Sequence, residues 1–358
     1  MNSILLRNPN VNFAVICLCV FSSTFLNADI VFLSDRDGNR PTYECDVYVM
    51  GDNGENVQRL TTDLLYKARP SFSPNGSQIA FAVEVIKPRQ KNWGPDQTVE
   101  LFVINANGSG QKQITDYKVL TSHPTWSPDG QSIAFIGNHT GNLEIHRMDM
   151  SSNQVSQITN SLAENDGYTS SPDWSPDGKK IVYSLSIRGR GTHIYIIDID
   201  GKNPRPLMKP EKQEAEITNY DVVPKWHPDS EHILYRKAAF TIVEKGAVAV
   251  FEPIGRGALS IRREGSLDSQ ELKIPENLAF RTGRWADNGN SVIFYASDNG
   301  DPDIPTDIYR YDMLTHEIVN ISNHPGHDFS PHWVKPIYSV PTLDLLTTQW
   351  AQLKKKKE

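Results

Sequence analysis

Apolar runs along this chain are short and are separated by turns bearing Gly, Pro, Asn and Asp, and the alternation is itself repeated. The segment Arg69-Pro-Ser-Phe-Ser-Pro-Asn-Gly-Ser-Gln-Ile-Ala-Phe81 returns as His123-Pro-Thr-Trp-Ser-Pro-Asp-Gly-Gln-Ser-Ile-Ala-Phe135 and as Ser171-Pro-Asp-Trp-Ser-Pro-Asp-Gly-Lys-Lys-Ile-Val-Tyr183. Degenerate copies stand at Val223-Pro-Lys-Trp-His-Pro-Asp-Ser-Glu-His-Ile-Leu-Tyr235 and Thr282-Gly-Arg-Trp-Ala-Asp-Asn-Gly-Asn-Ser-Val-Ile-Phe294. A half-copy, Ser330-Pro-His-Trp-Val334, stops before the turn. The aromatic residue falls at Phe72, Trp126, Trp174, Trp226, Trp285 and Trp333, giving spacings of 54, 48, 52, 59 and 48 residues. That is the length of a four-stranded propeller blade with generous loops.

The fourth unit reads strand by strand. Pro172–Ser175 is a short first strand, and Pro176-Asp-Gly178 is a turn. There Pro presets φ, Asp bonds the backbone ahead, and Gly accepts φ > 0. Ile181–Ile187 is a second strand, apolar enough to be covered on both faces. His193–Asp198 is a third, Asp200-Gly-Lys-Asn203 turns the chain, and Pro206–Met208 is the fourth, at the edge. The recurring Trp reads as a wedge between blades, burying a large apolar area. The segment Asp29-Ile-Val-Phe-Leu-Ser-Asp35 matches a second strand with no first strand before it. Pro331-His-Trp-Val334 is a first strand with no second after it. Joined, they complete an all-β, six-bladed propeller of four-stranded antiparallel blades, closed by pairing of the N- and C-terminal segments in one blade, which leaves no open edge there.

These residues resemble the TolB-type propeller repeat, whose consensus runs Pro-x-Trp-Ser-Pro-Asp-Gly-x-x-Ile-Ala-Phe, then a Ser-Asp turn and an Ile-Tyr strand. Ser34-Asp-Arg-Asp-Gly38 with Asp46-Val-Tyr48, and Ser297-Asp298 with Asp307-Ile-Tyr309, match its second half. The resemblance covers residues 29–336. It implies the fold firmly and the function weakly, because the repeat also occurs in the propeller caps of prolyl oligopeptidase-like proteases and in oligogalacturonate-lyase-like proteins. No α/β domain like that of TolB fits ahead of Asp29, and about twenty residues follow Pro336, so neither the Tol role nor the protease activity is implied.

Composition adds a compartment and removes one partner class. Arg7 is the sole charge before Asp29, Val11–Leu26 is mostly apolar, and Ala28 precedes the polar chain. This is the layout of a secretory signal peptide over 1–28, cleaved after Ala28. Its apolar stretch is broken by Ser22, Ser23, Thr24 and Asn27, too short for a span of ~20 residues, so no stable membrane insertion is expected once it is cleaved. The mature chain keeps Cys45 alone and has no internal disulfide. A net charge of −7 argues against nucleic acid, which needs a basic face. The propeller then spans 29–336. Residues 337–358 form a short helical tail with Leu346, Trp350 and Leu353 on one stripe and Lys354–Lys357 at its C-terminal end.

Catalytic motifs are near misses. There is no G-x-S-x-G elbow. His316-Glu-Ile-Val-Asn320 has Asn320 where a zinc motif needs its second His. Asp298-Asn-Gly-Asp-Pro-Asp303 lacks EF-hand spacing. Loop length is more informative. Turns between first and second strands are uniformly short, so length variation falls on the opposite face, at 87–97, 160–170, 209–222 and 323–329. Trp93 is an exposed anchor candidate there. The position after the proline (or after Gly283 in the fifth copy) is polar in every copy: Ser71, Thr125, Asp173, Lys225, Arg284 and His332. These residues line the axis, with Asp221 and Asp328 placed at its mouth. Solvation of a wet tunnel accounts for them. An acid–base or metal site built from Asp173, Lys225, Arg284 and His332 is the sharper reading, and two or three of the late histidines His316, His324, His327 and His332 could converge on a metal, although they share no spacing. The sequence reading is an exported monomer, periplasmic or secreted, that binds a protein or glycan of the cell envelope through its loop-rich face. No cofactor, metal or catalytic residue is expected. The alternative is a carbohydrate-active, oligogalacturonate-lyase-like enzyme with a His-containing channel site.

Overall fold

A computed structural model of the chain describes residues 29–37, 44–63, 65–85, 98–161, 167–187, 191–208, 217–245, 248–298 and 304–335. Six four-stranded antiparallel blades make the propeller. Blade one takes its first strand from the far end of the chain. β24 (Asp328–Trp333) pairs with β1 (Ile30–Ser34), followed by β2 (Asp46–Met50) and β3 (Gln58–Arg59). Ile30 stands opposite Trp333 and Ser34 opposite Asp328, and Val334 N–H donates to the Asp29 carbonyl at 2.9 Å. This is the clasp expected from the unmatched strands at the two ends.

Blade two holds β4 (Lys67–Phe72), β5 (Gln78–Glu84), β6 (Val99–Asn105) and β7 (Lys112–Gln113). Blade three holds β8 (Thr121–Trp126), β9 (Ser132–Gly137), β10 (Glu144–Asp149) and β11 (Val155–Gln157). Blade four holds β12 (Gly167–Trp174), β13 (Lys180–Ile187), β14 (Gly191–Asp198) and β15 (Arg205–Pro206). Its first strand begins five residues earlier than the sequence suggested, and its edge strand is shorter. Blade five holds β16 (Ile217–Trp226), β17 (His232–Lys245), β18 (Val248–Arg263) and β19 (Ser269–Glu271). Blade six holds β20 (Leu278–Ala286), β21 (Ser291–Asp298), β22 (Asp307–Asp312) and β23 (Ile318–Asn320), with a 3₁₀ turn over Asp287–Gly289. One parallel bridge, Thr192 to Tyr220, ties blade four to blade five.

The core lies between blades. Trp126 packs with Ala80, Ala82 and Leu101 of blade two and with Ile133 and Phe135 of its own blade. Trp174 joins Ala134 and Ile145 of blade three to Ile181, and Trp226 joins Val182 and Ile196 of blade four to Ile233. Each wedge removes a large ring from water at a seam, so neighbouring blades hold one another. The first strands pack edge to edge in a ring: β4 on β8, β8 on β12, β12 on β16, β16 on β20, β20 on β24, and β24 on β4. The middle of that ring is the propeller axis.

Candidate functional site

Every first strand carries a bulge near the proline position. The ladder slips between Ala68 and Ser71, Ser122 and Thr125, Ser170 and Asp173, Val222 and Lys225, and Phe280 and Gly283. In β24 the slip falls opposite Val31 and Leu33. In the five copies with proline, the preceding residue is left-handed: Arg69 (φ 55°), His123 (54°), Ser171 (54°), Val223 (56°) and Ser330 (54°). A bulge re-aims the side chains beside it. Here it places both the residue before the proline and the residue after it among the axial groups.

Four of the six post-proline residues make the polar centre. Lys225 Nζ lies 3.1 Å from Asp173 Oδ1, and Arg284 Nη1 lies 4.0 Å from the same oxygen, so groups from blades four, five and six meet on one carboxylate. Asp173 Oδ2 also accepts the Trp226 backbone N–H at 2.9 Å. His332 does the corresponding work in blade one: its Nδ1 accepts the Phe72 N–H of blade two at 3.3 Å. In both cases the post-proline acceptor stitches its blade to the next. Ser71 Oγ is buried without a partner.

The charges are unbalanced. Burial pushes the Lys225 ammonium down to about 8, against the pull of Asp173, and burial also brings Arg284 down to about 10. His332 is held well below the usual imidazole range by burial and by the nearby Arg284 and Lys225. His123 is held down by burial and then by Arg69, Lys225 and Arg284. Both histidines are therefore neutral at neutral pH, and His332, accepting through Nδ1, carries its proton on Nε2. Arg69 makes no ion pair among the described residues. Among the described residues, Lys225 and Arg284 thus meet one carboxylate, Asp173, and Arg69 adds like charge to both cations.

Arg69 and His123 escaped the sequence reading. They sit one residue before the proline and two before the axial position, and the sequence reading followed only the residue after the proline. The hairpin of blade five escaped it too. β17 and β18 run 14 and 16 residues, whereas the second and third strands of the other blades run five to eight. The two strands stay in register from His232–Arg263 to Lys245–Val248, broken by one bulge, so the hairpin extends past its neighbours on the loop-rich face.

The other candidates fall as follows. Asp328 is not at an open mouth. It is fully buried, ion-paired with Arg36 Nη2 at 2.5 Å, and belongs to the clasp. Asp221 pairs with Lys237 through the ladder, and its side chain is outside the described atoms. Trp93, the tail helix, the signal segment and most of the acidic 298–303 loop lie outside the described residues. The late histidines do not converge among the described residues. His316 Nδ1 meets Tyr311 Oη at 2.7 Å, His324 Nδ1 accepts from Gly326 N–H, and His327 Nδ1 accepts from Thr306 N–H. His332 alone faces the axis.

No protein-family profile matches the chain. Dipeptidyl-peptidase 5 of Porphyromonas gingivalis is 36% identical over 75 residues, 21% of this chain and 10% of that protein. A TolB homologue of Chlorobium chlorochromatii is 28% identical over 141 residues, 30% of this chain and 31% of that protein. Among solved structures, TolB from Acinetobacter baumannii matches with a TM-score of 0.64 at 18% identity, over 86% of this chain and 66% of that one. The chain thus spans a tenth to two thirds of the length of these proteins. Repeat and fold together are those of the TolB-type six-bladed propellers.

Proposed function

We propose that this TolB-type propeller is an exported, non-enzymatic binding scaffold that takes a protein partner of the cell envelope, recognising an acidic segment at the axis with further contacts on the loop-rich face. The convergence of Lys225 and Arg284 on Asp173, with the like charge of Arg69 acting on both cations, carries the reading. Buried cations without matching anions are destabilising, and an incoming carboxylate relieves them. The long blade-five hairpin gives such a partner a projecting edge to lie along, and strand addition to an exposed edge is a common mode of peptide capture. The apolar, lightly charged stretch ahead of Asp29 supports export.

The test is fluorescence anisotropy with a labelled acidic peptide and a neutral peptide of equal length, in wild type and Arg69→Gln. Arg69 has no structural ion pair among the described residues, so its replacement spares the fold. Binding of the acidic peptide that weakens with salt and weakens further in Arg69→Gln supports the reading. Equal binding of both peptides, or no change in the variant, overturns it. The lyase-like alternative rests on the same cations, which suit a uronate chain equally well. It predicts the ultraviolet absorbance of an unsaturated uronate on incubation with oligogalacturonate, whereas a binding scaffold produces none.

A further inference from the structure

Two histidines break the repeat at one turn. In blades two, three and four the turn between first and second strands opens on Ser73, Ser127 or Ser175, whose hydroxyl bonds Asn75, Asp129 or Asp177 at 2.7, 2.5 and 2.6 Å. The same hydroxyl accepts the backbone N–H of Gln78, Ser132 or Lys180. In blade five the two ends of this turn are His227 and His232, around Asp229. The three blades with serine close the turn without any imidazole, so the fold does not require these histidines.

The three side chains converge. His232 Nδ1 lies 2.7 Å from Asp229 Oδ2 and His227 Nδ1 lies 3.0 Å from the same oxygen. One ligand atom from each falls within 4.8 Å of the other two. The carboxylate divides its labour. Oδ1 accepts the backbone N–H groups of Glu231 and His232 at 2.8 and 3.0 Å, which holds the turn, and Oδ2 is left to the imidazoles. His227 is fixed from behind. Its ring meets Trp285 edge-on at 4.5 Å, and its Nε2 packs so closely on Gly289 that a Cβ there would lie 1.9 Å away. Nδ1 is thus the nitrogen His227 can offer.

That nitrogen accepts the Asp229 backbone N–H at 3.1 Å. A ring nitrogen carries either a proton or a lone pair in its plane, so His227 Nδ1 cannot also donate to Oδ2. A cation seated between Nδ1 and Oδ2, 3.0 Å apart, takes that lone pair in place of the Asp229 N–H and bonds both atoms. We propose that His227, Asp229 and His232 form a binding site for a zinc-class divalent ion on the short-turn face, pinning the seam between blades five and six through Trp285. Two imidazoles and a carboxylate are the donor set for such an ion, and three protein ligands leave a coordination position open to solvent.

The probe is Co²⁺ added to tag-free protein stripped with chelator, followed by its visible absorption and displaced by Zn²⁺ in calorimetry. The expectation is one equivalent bound, with Trp285 fluorescence quenched. His227→Ser, His232→Gln and Asp229→Asn each restore a residue the repeat uses elsewhere. Each is expected to lower Zn²⁺ affinity at least about tenfold while leaving the melting temperature in chelator unchanged. Should His227→Ser fold poorly, Asp229→Asn decides, because Asn75 holds the equivalent turn in blade two. Wild-type protein that takes up no Co²⁺, or three variants that bind it as wild type does, overturns the proposal.

Discussion

Asp173→Ala tests whether the axis is held by charge. The substitution removes the carboxylate that Lys225 meets at 3.1 Å and Arg284 at 4.0 Å, and it orphans the Trp226 N–H. Lys225 is 5% exposed, so its ammonium is left buried without an anion. Breaking a buried pair from one side costs about 3–5 kcal/mol. An unpaired buried N–H adds ~1–3 kcal/mol. The two losses overlap, and water reaches the partly exposed Asp173 site, so about 3–5 kcal/mol in total is expected. The pH dependence identifies the cause. Lys225 has its folded pKa lowered to about 8 from 10.5, so it is charged in the fold below pH 8 and neutral above it. Its attraction to Asp173 exists only while it is charged. The gap between wild type and variant therefore narrows as pH rises through 8, down to the Trp226 hydrogen bond. Urea unfolding followed by tryptophan fluorescence, at neutral pH and well above pH 8, reads this directly. Adding Lys225→Met to Asp173→Ala restores most of the loss. A deficit under about 1 kcal/mol, as for an exposed pair, or one indifferent to both pH and Lys225→Met, refutes the argument.

Deleting residues 330–358 removes most of β24 together with Trp333 and leaves β1 an open edge. The truncated protein should fail to give a cooperative melt, whereas one melting within a few degrees of the parent would disprove the clasp. His146 is buried with Nε2 unpartnered, and burial lowers its pKa from 6.5 to about 4. A lowered imidazole takes its proton more readily when unfolded, so stability is lost as pH falls from 6.5 towards 4. His146→Phe escapes that loss and should gain about 2 kcal/mol on wild type between pH 7 and pH 5, read by denaturation at both; an equal gap at the two pH values counts against it. Replacing Trp93 with Ala, and Lys87, Arg89 and Lys91 with Ser, should weaken partner capture without shifting the melting temperature. Unchanged capture would remove that loop from the binding face.

The repeat made the blades legible because the same physics recurs in each. A ring recurring six times at spacings of 48 to 59 residues marks the first strands, and in three copies a Pro-Asn-Gly or Pro-Asp-Gly turn marks the hairpin after it. The early residues of β12 carried no such mark: Tyr168 is exposed and Thr169 and Ser170 are polar, so the strand seemed to start at Pro172. The post-proline residues were legible as one polar repeat position. Arg69 and His123 were not, because the position before the proline runs through Arg, His, Ser and Val along the repeat and carries no common chemistry. The blade-five turn was visible as a departure from the repeat, but a search for motifs passes over His227 and His232, whose meaning lies in the residues they replace.

The same comparison separates folding from function at the axis. Ser71 and Thr125 occupy the post-proline position in blades two and three without charge, so ring closure does not call for cations there. Asp173 and His332 earn a structural explanation through the N–H groups of Trp226 and Phe72. Lys225, Arg284 and Arg69 have none that a neutral residue could not supply. The first two are instead unfavourable where they stand, desolvated enough to lower their pKa values, and Arg69 adds like charge to both. The cations are also confined to blades two, five and six, while the neutral ring of His123 lies among them. Charge that destabilises the empty propeller, distributed unevenly around its axis, favours an anionic ligand seated to one side over a passage uniformly filled with water.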